Sequence, residues 1–348
     1  MNIREITEEL RDKRVAIDDA VTSYSTAMAS HKSAWCHVLK SQLMWLGIES
    51  TVLGKRDDIH EYDVWLIALP MEFAGIFNLF GGASDETAAR IKRLVDFQGP
   101  IWILNRPMPD VGELVQKRMN SAGTEWKKLD ADAITAKCNS IETVELELKS
   151  GTFVLGDSHS VSAYVPGADI SRNDGKTLFG MLKEGIGTRV PIGTQHLVTY
   201  LGNIDVRHHL CRQADPVKSG TDLASAYLKQ LSELEVSRKT VVKLLPIEHE
   251  GRAIPKTGYY KGTPFYGARE LRDQVMKAFN EFLDQHASDY GIELMAWPDS
   301  WYEMPPEQYA KAYMERPKSV HLSREYYQYD LDTGKKNPKL LNKSVALF

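Results

Sequence analysis

The apolar run at 151–155 ends abruptly in Gly156-Asp157-Ser158-His159. A strand that stops at a glycine and turns through aspartate and serine delivers a hydroxyl to the mouth of a pocket, with a helix free to begin beyond. A serine so placed works as a nucleophile when a base lies within hydrogen-bond reach and N–H donors face the developing oxyanion. Ser158 is the candidate nucleophile, and Asp157 and His159 are candidate substrate-binding residues beside it.

Other polar clusters also follow apolar runs. Gly202-Asn203-Ile204-Asp205-Val206-Arg207-His208-His209 comes after 197–201, Glu248-His249-Glu250 after 240–245, and Asp299 after 292–296. Arg207 is either a charged donor at the site or a brace paired with Asp205 or Asp157. Asn203, Asp205, His208 and His209 complete the candidate substrate-binding set. The Glu248-His249-Glu250 cluster has metal-like composition but no further ligand at helical spacing, so neither a metal nor a cofactor is expected. Aromatic residues at 257–266 and 297–302 suit either a sugar- or base-stacking wall or rim packing.

Gly156-Asp157-Ser158, placed after a strand, resembles the first block of the SGNH, or GDSL-like, hydrolase superfamily. The resemblance covers about 151–325 and implies a serine esterase or acyl-transfer enzyme. It assigns the oxyanion glycine of the second block to Gly180, with Gly175 as a substitute. The third block is Gly-x-Asn-Asp in that family, and here Gly202 and Asp205 keep their spacing while Ile204 replaces the asparagine. Isoleucine has no donor for an oxyanion. The last block, Asp-x-x-His, maps onto Lys318-Ser319-Val320-His321, making His321 the candidate general base with lysine in the carboxylate position. Asp299 or Glu315, or a backbone carbonyl, then orients the imidazole, or the protein works as a Ser–His dyad.

These residues need a sheet to bring them together. Short apolar runs at 153–155, 197–201, 240–245 and 292–296 alternate with helical segments at 177–183, 223–234 and 268–290. The pattern predicts an α/β fold, a doubly wound, mostly parallel sheet of the SGNH or flavodoxin-like three-layer type, over residues 150–330. A smaller α/β domain is expected at 1–149. It has helices across residues 1 to about 50, strands at 64–69 and 101–104, and helices at 85–97 and 109–119. No Gly-x-Gly-x-x-Gly follows either strand, which excludes a dinucleotide fingerprint. Residues 331–348, rich in lysine, read as a basic tail.

The formal net charge of −4 gives no global attraction to nucleic acid or anionic lipid, and no apolar run reaches membrane length. The charged amino terminus is unlike a signal peptide. Cys36, Cys138 and Cys211 are too scattered for a disulfide framework, so a reducing cytoplasm is the expected compartment. The expected partner is a small-molecule or glycan-like ester substrate. The alternative is an altered scaffold of the same kind serving as a binding protein or a nucleotide-sugar or glycosyl transferase.

Overall fold

A computed structural model of the chain describes residues 1–18, 29–53, 58–68, 85–105, 112–121, 125–248, 266–315 and 319–340. It divides into two compact units, 1–148 with 331–334, and 149–330 with 335–348. Each unit is an α/β structure with its own five-stranded parallel sheet.

In the first unit the strands are β1 (Val15–Asp18), β2 (Ser50–Val52), β3 (Val64–Ile67), β4 (Ile101–Leu104) and β5 (Glu142–Val144), in the order β2-β1-β3-β4-β5. β1, β3 and β4 are buried along their whole length. That explains their continuous apolar sequences, because parallel strands covered on both faces have no solvent side to alternate with. Trp65, Ile91, Phe97, Trp126 and Ile134 form part of the core. The helices include Ala29–Trp45, Asp85–Asp96, Gly112–Ser121 and Ala131–Asn139.

The helical reading of residues 1–50 is corrected in its first part. Helical turns run only over Ile3–Ile6 and Thr7–Leu10, and Ile17 lies in β1. The spacing of Ile3, Ile6, Leu10 and Ile17 mimics one amphipathic face, whereas the four-residue strand is too short to show a period of its own.

In the second unit the strands are β6 (Thr152–Gly156), β7 (Asp169–Arg172), β8 (His196–Tyr200), β9 (Arg238–Val242) and β10 (Glu293–Met295). Their order, β7-β6-β8-β9-β10, repeats the second-first-third-fourth-fifth pattern of the first sheet. Both sheets thus have the flavodoxin-like strand order. It reverses between β6 and β8, and the crevice beyond the carboxyl ends of such a pair is where doubly wound sheets place their sites.

β7 escapes the sequence pattern because it is a polar edge strand, Asp-Ile-Ser-Arg. β9 ends at Val242, short of the expected 245. From there Trp297 Nε1 donates to the Lys243 carbonyl at 2.9 Å, and Asn280 both accepts from the Leu244 N–H and donates to the Leu244 carbonyl. The helix expected at 223–234 runs over Pro216–Ser232. It starts earlier because Asp215 caps it, accepting from the Lys218 N–H, with proline in its first turn.

The expected basic tail is built into the fold as far as residue 340. Asn337 Nδ2 donates to the carbonyls of Glu325 and Tyr327, and Leu331 and Leu340 are buried. Residues 341–348, including Lys343, lie outside the described residues.

Candidate functional site

Ser158 follows strand β6, which lies between the edge strand β7 and the central strand β8. Gly156 cannot be replaced without movement, since a Cβ there would lie 2.5 Å from the Tyr200 carbonyl oxygen. That close approach lets the chain leave the sheet beside β8, where the Asp157 N–H donates to the same oxygen at 3.1 Å. Asp157 then caps a short 3₁₀ helix, Ser158–Ala163, by accepting from the His159 N–H at 2.8 Å. Ser158 is its first residue, where an N–H has no acceptor within the helix.

The Ser158 hydroxyl lies 2.8 Å from His321 Nε2, across 163 positions of sequence. Behind the imidazole, His321 Nδ1 is 3.9 Å from Glu315 Oε1. Glu315 and His321 are paired through their backbones. The Glu315 N–H donates to the His321 carbonyl at 3.0 Å, and the Ser323 N–H donates to the Tyr313 carbonyl at 2.8 Å. Ser319 closes the loop internally, its hydroxyl donating to Glu315 Oε1 at 2.7 Å while its oxygen accepts from the His321 N–H at 3.1 Å. With its hydrogen on Nδ1, the nitrogen that faces Glu315, the imidazole would accept the Ser158 hydroxyl at Nε2. The carboxylate facing the imidazole is Glu315. Asp299 is exposed at the start of the helix Asp299–Glu303, and Lys318 lies outside the described residues.

His159 is 3% exposed. Its Nδ1 lies 2.8 Å from Asp157 Oδ1, and its Nε2 donates to the Val320 carbonyl at 2.9 Å. Its ring stands 4.8 Å from that of His321, centroid to centroid. On the other side of β6, Asn173 ties the β7 exit to the same strand. Its N–H donates to the Gly156 carbonyl at 2.8 Å and its Nδ2 reaches that oxygen at 3.2 Å. Gly175 follows two residues later and is exposed.

The third-block residues form the helix Asn203–His208, entered through Gly202 in the left-handed region at φ +112°. Asp205 faces inward. Its two oxygens accept from the N–H groups of Leu178 (2.7 Å) and Phe179 (3.1 Å), capping the start of the helix Leu178–Glu184. Burial pushes the Asp205 carboxyl up to about 7, against the lowering effect of those two bonds.

Arg207 is spent on a buried fork. Its Nε and Nη2 donate to the two oxygens of Glu248 at 2.8 and 2.9 Å, and its Nη1 donates to the Asn203 carbonyl at 2.9 Å. The guanidinium is a brace between the β8 and β9 exits, and its partner is Glu248 rather than Asp205 or Asp157. His249 and Glu250 lie outside the described residues. Asn203 and His208 are buried, and burial beside Arg212 lowers the pKa of the half-buried His209. The Gly180 N–H donates to Thr177 Oγ1 at 3.0 Å as part of a helix cap, so it is committed there rather than to an oxyanion.

The aromatic segment at 297–302 is core packing. Trp297 and Trp301 are buried, and Trp301 stacks on Tyr313 at 4.4 Å, directly before the Glu315 turn. Of the run at 257–266 only Tyr266 is described. Among the described residues no group of three or more His, Cys, Asp or Glu side chains is placed to hold a metal ion, and no helix is long and apolar enough to cross a membrane.

The structure thus brings Ser158, Asp157, His159 and His321 together. It sets Asp205, Arg207 and Gly180 in supporting bonds. Sequence reasoning named Glu315 only as one of several possible orienting groups, and missed Ser319 and Asn173. The signal for Ser319 and Glu315 was their closeness in sequence to His321. For Asn173 it was the turn-forming run Asn173-Asp174-Gly175.

No family model matches the chain, and no curated protein matches it. Among solved structures it is similar to a gut microbial diltiazem-metabolizing enzyme, with 14% identity and a TM-score of 0.34, over 50% of this chain and 43% of that one. The chain thus spans less than half the length of that enzyme. A second solved structure aligns at 12% identity and a TM-score of 0.32, over 54% of this chain and 94% of its own length.

Proposed function

We propose that this chain is a serine-dependent esterase or acyl-transfer enzyme of the SGNH-like kind, acting on a polar, carbohydrate-linked ester. The observation that carries the reading is the 2.8 Å contact between Ser158 Oγ and His321 Nε2, backed by the buried carboxylate of Glu315. This is the nucleophile–base–orienter arrangement of acyl transfer.

In the reaction, Ser158 Oγ attacks the ester carbonyl carbon while His321 Nε2 takes the hydroxyl proton. The tetrahedral oxyanion is met by the Ser158 N–H, while the Gly180 N–H is already engaged by Thr177. As the intermediate collapses, the bond to the alkoxy group breaks and His321 returns the proton to that oxygen. Water, or an acceptor hydroxyl in the transfer case, then gives its proton to His321 and attacks the acyl-serine, freeing Ser158. Glu315 stabilises the imidazolium formed in both halves.

The test is release of acetate from a panel of O-acetylated saccharides and aryl acetates. Turnover by wild type that disappears in Ser158→Ala and His321→Ala supports the reading. Equal turnover in the variants defeats it.

A further inference from the structure

The residue after the nucleophile has a job of its own. We propose that His159, held by Asp157, is a positioning residue that fixes the backbone of the general base. This inference rests on the reading of His321 as that base.

The Val320–His321 peptide is gripped at both ends. Its carbonyl accepts from His159 Nε2 at 2.9 Å, and its N–H donates to Ser319 Oγ at 3.1 Å. Because a peptide unit is planar, holding its oxygen and its nitrogen fixes the plane from which the His321 side chain departs. Ser158 and His159 are adjacent on one helical turn, so one turn holds both the imidazole of His321 and the peptide that carries it. The His159 ring also lies 4.8 Å from that of His321 and 5.9 Å from that of Tyr200, which limits its freedom to swing.

A carbonyl oxygen only accepts, so Nε2 carries the hydrogen that reaches Val320. At the far side of the ring Nδ1 lies 2.8 Å from Asp157 Oδ1, and the same oxygen accepts the His159 backbone N–H at 2.8 Å, so the fully buried Asp157 side chain holds the ring by its other nitrogen. Asp157 thus acts on the base at one remove, through His159 and Val320, and contributes no proton to the reaction.

The experiment uses the full chain labelled with ¹⁵N-histidine. The ring signals of His159 are identified by their loss in His159→Gln, and the labelling rate of Ser158 by a fluorophosphonate probe is measured in parallel. His159 should carry a hydrogen on Nε2, the nitrogen that faces the Val320 carbonyl. His159→Phe, which keeps a ring but has no donor, should slow labelling by about 100-fold, the scale of a small misplacement of a reacting group. His159→Gln, whose amide can donate to the Val320 carbonyl, should recover much of that loss. A bare Nε2 in wild type, or His159→Phe labelled as fast as wild type, overturns the proposal. Absence of labelling in wild type instead defeats the esterase reading, while the nitrogen signals still decide whether the strut exists.

Discussion

Glu315 and His321 are bonded to each other through their backbones, the Glu315 N–H donating to the His321 carbonyl at 3.0 Å, while their side chains meet at 3.9 Å. The carboxylate facing the His321 imidazole is thereby supplied by its backbone partner, six residues earlier in sequence. Ser319 fills the space between them and bonds to both. The arrangement needs no acid at position 318.

Replacing Glu315 by glutamine should lower turnover by roughly 10- to 100-fold. That is less than the ~10⁴-fold loss that follows removal of a carboxylate bonded directly to an imidazole. The 3.9 Å separation makes Glu315 chiefly an electrostatic partner. Steady-state kinetics should show the loss in kcat with KM little changed. An unaltered kcat would remove Glu315 from the site.

Gly156→Ala should destabilise the second unit and misplace Ser158 together. The added Cβ meets a backbone oxygen at 2.5 Å, which cannot rotate away as a side chain can. A loss of about 1–3 kcal/mol, typical of overpacking, should appear in denaturant unfolding. A variant as stable and as active as wild type would contradict the close approach of β6 to β8.

Breaking the Arg207–Glu248 fork should act on stability. Both side chains are buried, and removing one partner of such a pair costs about 3–5 kcal/mol because the other charge is stranded. Glu248→Gln should lower the melting temperature markedly, while the folded fraction still reacts at Ser158. Loss of reaction without loss of stability would return Arg207 to the chemistry.

Asp205 should give a pH-dependent signature. Its carboxyl titrates at about 7 in the folded chain against 3.8 unfolded, so the native state holds the proton more tightly. Its stabilising contribution is then full below about pH 4 and declines as pH rises through about 7. The gap in unfolding free energy between wild type and Asp205→Asn should therefore narrow from pH 4 to pH 8. A gap that stays constant or widens would contradict the raised value.

The parts legible in sequence are those where burial writes a continuous apolar run. β3, β4, β6 and β8 were readable for that reason, and the polar residues after β6 and β8 marked the crevice where the strand order reverses. β7 was invisible because this partly buried edge strand is built from Asp-Ile-Ser-Arg and has no apolar run, and β1 was absorbed into a helical spacing set by its neighbours. Ser158 and His321 were paired from residue type and position, and the structure brings their side chains into contact. The role of Arg207 was not legible, because a guanidinium after a strand looks the same whether it faces a substrate or a buried Glu248. Gly180 misled in a similar way, since a cap by Thr177 is a matter of local backbone geometry that a lone glycine does not reveal.

The central claim is that Ser158 is a nucleophile activated by His321. The most direct measurement is reaction of the full chain with a fluorophosphonate probe, followed by peptide mass spectrometry to locate the adduct. The account predicts one adduct on Ser158, lost in Ser158→Ala and strongly slowed in His321→Ala, with both variants folded. Absence of any adduct on the folded wild-type chain, or an adduct that persists in Ser158→Ala, would contradict it.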